Sequence, residues 1–289
     1  MHYQGNIFRP PSEANSILLQ VTTGCSHNKC TFCAMYKGSM FAIKSDDIIF
    51  ADIDFAATHC KHQNRLFLCD GDALILPQER LVRILKEIKT KLPWVNRVGV
   101  YANTKSIKRK SGAQLEELKK LGLLIAYMGL ESGDDITLKD INKGADSGQM
   151  IEMGKKIRSA GIKLSITVLL GIAQKKRSPI HGRETGRVLT AIDPEYVGAL
   201  SLMLSPGTPI HRSWNEGVWQ LPGPQEMLEE LKVMLINTEL SNGYFHANHA
   251  SNYLPIKAKL PGDKAKTLRL IEQALQGSVS LKPEYMRGL

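Results

Sequence analysis

The chain has 289 residues, of which 43% are hydrophobic and 23% charged, a balance that supports a large core and excludes a disordered segment. No window approaches the ~20 apolar residues of a membrane span, and the first residues carry no apolar signal run, so a cytoplasmic protein is expected. The formal charge of +10 fits a nucleic-acid partner, an anionic small substrate or a generally basic proteome. Basic residues are spread over 105–120, 174–187 and 257–269 without an arginine-rich tail, and an odd count of five cysteines argues against a disulfide framework.

Residues 17–21 read as a buried strand that runs through two threonines and a glycine to Cys25. Cys25, Cys30 and Cys33 then fall within nine positions, spaced by four residues and then two. Ser45 is placed to cap a helix whose first turn carries two aspartates, with Ile48, Ile49, Ile53, Phe55 and Ala56 as its inward face. A second strand over 65–69 stops at Asp70-Gly71-Asp72. A helix over 77–92 follows, with Leu81, Ile84, Leu85 and Ile88 on one stripe. A third strand over 97–101 ends near Asn103, and a charged helix over 108–121 stops at Gly122. The fourth strand, 123–130, ends at Glu131-Ser132. After a helix over 147–160, the fifth strand, 163–170, ends at Gly171. A basic loop at 174–177 leads to a helix over 184–192 and a sixth strand over 196–204, which contains Met203 and stops at Ser205-Pro206-Gly207.

Six apolar strands alternating with helices predict a parallel sheet covered by helices, and six units are too few for a closed eight-stranded barrel. The expected fold is therefore α/β, a partial (β/α)6 TIM-like barrel with its site at the C-terminal ends of the strands. The polar and glycine-rich clusters fall at those ends. Residues 1–16 form a lead, 17–207 the barrel, and 208–289 a helical and loop extension packed on it. Within the extension, 208–219 reads as loop, 224–241 as helix, 245–255 as a polar stretch without helical period, and 261–276 as an amphipathic helix.

Three thiols clustered after a strand suit a metal or an iron–sulfur cluster with one coordination position left over. Other uses are buried packing, a redox dithiol of Cys30 and Cys33 that leaves Cys25 unexplained, and structural zinc with His27, Cys60 or Cys69 as fourth ligand. The zinc reading belongs to a nucleic-acid-interacting module. Cys69 ends an apolar strand and Cys60 lies late in a helix, so both read as packing.

A three-cysteine loop after the first strand of a six-unit barrel, with the aromatic Phe32 directly before the last cysteine, resembles the radical S-adenosylmethionine superfamily over residues 17–207. Gly129-Leu-Glu-Ser-Gly133 resembles the fourth-strand segment of its elongator-type, methylthiotransferase-type and coproporphyrinogen-dehydrogenase-like branch, and Asn248-His-Ala-Ser-Asn252 is similar to a block in a group of small radical proteins. One departure is that four residues, where the family usually has three, separate Cys25 from Cys30.

The resemblance implies a [4Fe-4S] cluster on Cys25, Cys30 and Cys33, with the amino and carboxylate groups of S-adenosylmethionine on the open iron. It also implies an external one-electron reductant of flavodoxin or ferredoxin type. Asp70, Gly71 and Asp72 stand where relatives receive the methionine ammonium, although an aspartate there also suits a helix cap. Phe32 would offer its backbone to adenine, Glu131 and Ser132 would meet the ribose or amino-acid part, and Gly171 would let the backbone approach adenine. Met203 is a candidate for the adenine pocket. Asn103, His246 and His249 are candidates for substrate contacts. The substrate is expected to be an anionic small molecule or RNA, because the basic loop at 174–177 would sit near the mouth.

Overall fold

The computed structural model describes residues 1–288. In chain order the strands are β1 (Ile17–Gln20), β2 (Thr22–Thr23), β3 (Ala42–Ile43), β4 (Arg65–Cys69), β5 (Arg97–Ala102), β6 (Leu123–Glu131), β7 (Lys163–Leu170), β8 (Tyr196–Ser201), β9 (Gly243–His246) and β10 (Lys257–Leu260). The helices are α1 (Asp46–His59), α2 (Gln78–Lys91), α3 (Thr104–Lys108), α4 (Gly112–Lys120), α5 (Asp135–Asp140), α6 (Ser147–Ser159), α7 (Gln174–Ile192), α8 (Pro209–Asn215), α9 (Pro224–Ile236) and α10 (Lys264–Leu275). Among the described residues the main sheet has eight strands in the order β1-β4-β5-β6-β7-β8-β9-β10, and β2 pairs with β3. The sheet is mostly parallel, which is the α/β alternation of a partial barrel. The chain divides into two compact units.

The first unit comprises Met1–Asn28, Met35–Met128 and Lys155–Leu164. Its strands β1, β4 and β5 are parallel, with Ile17 opposite Leu66 and Arg65 opposite Arg97. Both faces of β4 are covered, since Leu66 to Cys69 are all buried, and this is why the strand is an unbroken apolar run. Phe67 lies edge-on to Tyr101 and Tyr127 at 5.0 and 5.7 Å between ring centroids. The α2 stripe of Leu81, Ile84, Leu85 and Ile88 is buried as predicted. Gly122 takes φ +102° directly after α4, in keeping with its expected role as helix stop.

Two expectations in this unit fail. Phe55 is exposed and stacks on His59, while Asp52 takes the buried place beside Ile49, Ile53 and Ala56. Phe55 lies one residue from that stripe, about 100° round the helix, and Asp52 is held by His2 and Lys44. The helix predicted over 108–121 starts later, at Gly112, and is preceded by the unexpected short helix α3. Asn103 caps α3 and Ser111 caps α4, each in a reciprocal bond with the residue three further on, so each helix has its own start signal.

The second unit comprises Lys29–Ala34, Gly129–Gly154 and Ser165–Leu289. Here β7, β8 and β9 are parallel and β10 returns antiparallel to β9. Neither β9 nor β10 was expected: β9 overlaps only the start of the polar stretch at 245–255 and β10 follows it; both are four residues long, and β10 alternates lysine with apolar side chains. The expected loop at 208–219 contains α8, opened by a Thr208 cap and Pro209. The basic segment at 174–177 is the first turn of α7 rather than a loop. Pro179, Gly182 and Gly186 disguise this helix, yet the glycines have a packing reason. A Cβ on Gly182 would stand 2.9 Å from the Glu230 carbonyl oxygen, and one on Gly186 2.7 Å from that of Met234, so α7 and α9 meet backbone to backbone. The sixth strand is shorter than expected, ending at Ser201.

Phe67 carries much of the first unit's packing. Replacing it by alanine is expected to destabilise the chain by about 3–5 kcal/mol in denaturant unfolding, the range for a buried aromatic that leaves a cavity.

Candidate functional site

In the first unit the end of β4 turns sharply. Asp70 adopts φ +73°, a conformation that non-glycine residues occupy mainly where surrounding contacts enforce it. Its carboxylate accepts from Gln20 Nε2 at 2.7 Å and from the Tyr36 hydroxyl at 3.3 Å. Gly71 follows, and a Cβ there would lie 2.8 Å from the Cβ of Cys25, so only glycine lets this turn back onto the cysteine loop. The Gly71 N–H also donates to the Gly24 carbonyl at 3.1 Å.

Asp72 is fully buried. One carboxylate oxygen, Oδ2, accepts from Ser26 Oγ at 2.5 Å and from Asn103 Nδ2 at 2.8 Å. The other, Oδ1, has no hydrogen-bond partner. Burial pushes the carboxyl up to about 6, against the lowering effect of its Ser106, Ser26 and Asn103 contacts. Asp72 heads only a single 3-10 turn and makes no side-chain cap bond, so capping does not account for it. Asn103 also caps α3, and Lys110 is the cation within Coulomb reach of Asp72. Cys69 is buried and its thiol is pushed up by burial, as expected for packing, while Cys60 is half-buried.

In the second unit the segment carrying Cys30 and Cys33 is pinned on both sides. Thr31 N–H donates to the Ile141 carbonyl at 3.0 Å, and the Thr31 carbonyl accepts from Ile210 N–H at 3.2 Å. Phe32 packs on a cluster of Leu138, Ile141, Ile172, Leu202, Ile210 and Trp219. Glu131 adopts φ +63°, the second left-handed carboxylate residue at a strand end. It accepts from Lys143 Nζ at 2.9 Å. Burial pulls the Lys143 ammonium down, but Glu131, Cys30 and Cys33 outweigh it and raise the group. Lys143 is a site residue that sequence reasoning missed; its only signal is the turn after α5, where Asn142 takes φ +56°.

Ser132 Oγ meets His181 Nδ1 at 2.7 Å and accepts from the Asp134 N–H at 3.0 Å. Gly171, at φ +82°, donates its N–H to Glu230 Oε1 at 2.7 Å. Glu230 and His181 are both fully buried and 3.4 Å apart, and neither was foreseen. Met203 is half-buried. Arg177, expected near the mouth as an anion ligand, is instead locked to both oxygens of Asp134 at 2.8 and 2.9 Å, and Lys175 pairs with Glu226. His249 is bonded to Ser251, and burial lowers both His246 and His249. Asn252 is buried, donating to the Ala199 carbonyl and accepting from Ser201 Oγ.

The structure thus brings Cys25, Asp70, Gly71, Asp72 and Asn103 together in one unit. In the other it brings Cys30, Phe32 and Cys33 to the Glu131–Lys143 pair. Three half-buried thiols on one loop have the donor chemistry of an iron–sulfur site, although among the described residues no three Cys, His, Asp or Glu side chains stand as a ready metal-ion group. Residues 19–177, more than half of the chain, match the Radical SAM superfamily. The chain belongs to that family.

Radical SAM enzymes use a [4Fe-4S] cluster and S-adenosylmethionine and generally need an external electron donor. The fold of this chain is shared by methylornithine synthase PylB (14% identity, TM-score 0.54, 78% of this chain and 63% of that one). It is shared by coproporphyrinogen III oxidase HemN of Escherichia coli (15%, 0.56, 76% and 51%). Elp3 of Methanocaldococcus infernus is a third case (13%, 0.51, 91% and 63%). The chain spans less than two thirds of each of these proteins. No curated protein sequence matches it. No helix among the described residues is long and apolar enough to cross a membrane.

The Asp134–Arg177 pair gives a pH prediction. Burial alone would raise the carboxyl, but the bonds from Arg177 and Thr137 hold it at about 2, below its ordinary 3.8. A depressed folded pKa adds stability that is present above the unfolded value and lost as pH falls towards the folded one. Asp134→Asn is therefore expected to cost about 2 kcal/mol at pH 7, with the gap to wild type closing between about pH 4 and 2 in urea titrations.

Proposed function

We propose that Cys25, Cys30 and Cys33 ligate the [4Fe-4S] cluster and that Asp72 receives the ammonium group of S-adenosylmethionine. The observation that carries this reading is Asp72 Oδ1, a buried carboxylate oxygen with no partner, on a turn whose Gly71 backs directly onto Cys25. An unsatisfied buried acceptor is costly, and a cationic donor is the chemistry that offsets the cost. When bound, the cluster and S-adenosylmethionine supply a 5′-deoxyadenosyl radical for hydrogen abstraction.

The chain's own residues bind and orient. Ser26 and Asn103 hold Asp72 so that Oδ1 is the oxygen left available. Glu131 and the backbone of Ser132 serve the ribose or amino-acid part. The Gly171 turn, fixed by Glu230, serves the adenine with Phe32 and Met203. Lys143 keeps a positive charge beside the segment of Cys30 and Cys33. Residues 17–207 form the catalytic core with 208–289 as an extension that bears on the substrate. The reductant is of flavodoxin or ferredoxin type, the site of action is the cytoplasm, and the substrate is anionic.

Anaerobic reconstitution followed by iron and sulfide analysis tests the ligand set. Wild type is expected to bind four irons per chain and to release 5′-deoxyadenosine on reduction, while alanine at Cys25, Cys30 or Cys33 abolishes both. Stoichiometric zinc in place of iron would overturn the reading. Asp72→Asn is expected to weaken S-adenosylmethionine binding about 10–100-fold, the loss of one charge-assisted bond. Because the Asp72 carboxyl is raised to about 6, the ionised form that attracts an ammonium disappears as pH falls through that value. Wild-type affinity should therefore rise from pH 5 to 7.5 in calorimetric titrations, and the Asn variant should show a flat profile.

A further inference from the structure

The strands β8, β9 and β10, all within the second unit, present one open face with an unusual composition. Burial alternates along each strand: Val197, Ala199, Ser201, Phe245, Ala258 and Leu260 are covered. The opposite positions, Tyr196, Gly198 and Leu200 on β8, Tyr244 and His246 on β9, and Lys257 and Lys259 on β10, are half or fully exposed. None of these seven is acidic.

Register sets them in two cross-strand rows. Tyr196 lies opposite Tyr244, which lies opposite Lys259; Gly198 lies opposite His246, which lies opposite Lys257. The two tyrosine rings are stacked at 5.9 Å with an interplanar angle of 13°. His246 is 5.8 Å from the Tyr244 ring, and Lys259 Nζ is 5.9 Å from its centroid. Gly198 leaves a notch at the β8 end of the second row. A Cβ there would meet only Leu200 Cδ1 at 3.7 Å and the Ile166 carbonyl at 4.0 Å. Unlike the tightly packed helix glycines, this one has only ordinary van der Waals contacts where a side chain would begin.

Lysines on β10 have an ordinary purpose, since they stop an edge strand from pairing with another chain. That does not explain a half-buried tyrosine stacked on an exposed one beside a histidine, nor a loosely contacted glycine on an inner strand, where a glycine weakens the sheet unless something approaches closely. Flat aromatic faces interleaved with cations are the chemistry that single-stranded nucleic acid requires, with bases stacking on rings and phosphates meeting ammonium groups. A duplex offers its phosphates but keeps its base faces stacked inside. We infer that the β8–β10 face binds single-stranded nucleic acid, with bases on Tyr244 and over the Gly198 notch and phosphates on Lys257 and Lys259. The chain's charge of +10 favours the same partner.

This inference stands apart from the cofactor reading, because binding is measured on the full chain both with and without a reconstituted cluster. Fluorescence anisotropy with labelled single-stranded RNA and DNA of about 12 nucleotides is expected to show saturable binding of one or both in either form, with a matched duplex binding more weakly. Tyr244→Ala should weaken the single-strand complex about 10-fold, and Tyr244→Phe, which keeps the ring, should restore it. Gly198→Val should weaken binding while melting temperature holds. Lys257→Gln with Lys259→Gln should lower the slope of log affinity against log salt by about 1–2. Absence of saturable binding up to about 100 µM protein would overturn the inference. So would a pattern in which only the lysine changes matter, which marks a general polyanion effect. Loss of cluster formation with oligonucleotide binding intact would count against the cofactor reading alone.

Discussion

In the first unit the turn after β4 depends on one buried carboxylate. Asp72 Oδ2 is shared by Ser26 and Asn103, so a single oxygen ties the turn after β4 to the cysteine loop and to the end of β5. Burying a carboxylate and leaving its second oxygen without a donor costs free energy that the bonds from Ser26 and Asn103 only partly offset, since the carboxyl is still pushed up. Such an arrangement persists because the surroundings over-determine it. Asp70 is held in a left-handed conformation by Gln20 and Tyr36, and Gly71 lets the turn close against Cys25. Local strain and an unsatisfied oxygen at the same turn are what a pre-organised cation receptor needs, because no side chain must rearrange when the cation arrives.

The second unit has a counterpart built on Glu230. Its two oxygens engage the Gly171 N–H and the Ser178 hydroxyl, with His181 nearby and Ser132 beyond it. Gly171 ends β7, within the region that matches the family, whereas Glu230 lies on α9, outside it. The C-terminal region therefore does more than cover the sheet, since it sets the conformation of a turn belonging to the core. The backbone contact of α7 with α9 through Gly182 and Gly186 makes this possible. A bulkier residue at either position would push α9 away and withdraw the Glu230 carboxylate from the turn.

Much of this was legible in the sequence, and the failures have physical causes. Strands β4 and β7 were read closely because both lie inside a parallel sheet and their apolar runs end at glycine or aspartate. β9 and β10 escaped because four residues such as Lys-Ala-Lys-Leu acquire strand character only by pairing with a neighbour far along the chain. The start of α7 escaped because Pro179 and two glycines lower helix propensity, while the close approach to α9 that they permit is a tertiary fact. Phe55 and Asp52 exchanged places because hydrophobicity outranks charge in a one-dimensional reading, and the ionic partners of Asp52 come from residues 2 and 44. At the site, Asp72 and the cysteines announced themselves by position after a strand. Lys143, His181 and Glu230 did not, since their meaning lies in partners 12 to 59 residues away.

The division between the matched region and the rest bears on substrate choice. Radical generation is common to the family, so the residues serving it belong to the part that resembles the family. Discrimination between substrates must come from elsewhere in each chain. Here the sequence beyond residue 177 supplies β8, β9 and β10, and with them the stacked tyrosines, His246 and the paired lysines. The same stretch supplies Asn252, which bonds to the Ala199 carbonyl and the Ser201 hydroxyl, and so fixes the segment after β9 to the end of β8. A segment added only to close a sheet edge would need neither a loosely contacted glycine on an inner strand nor buried polar bonds at the strand's end. Both features lie beyond the matched region, on β8 and on the chain that follows β9, so this part of the sheet is held by contacts of its own.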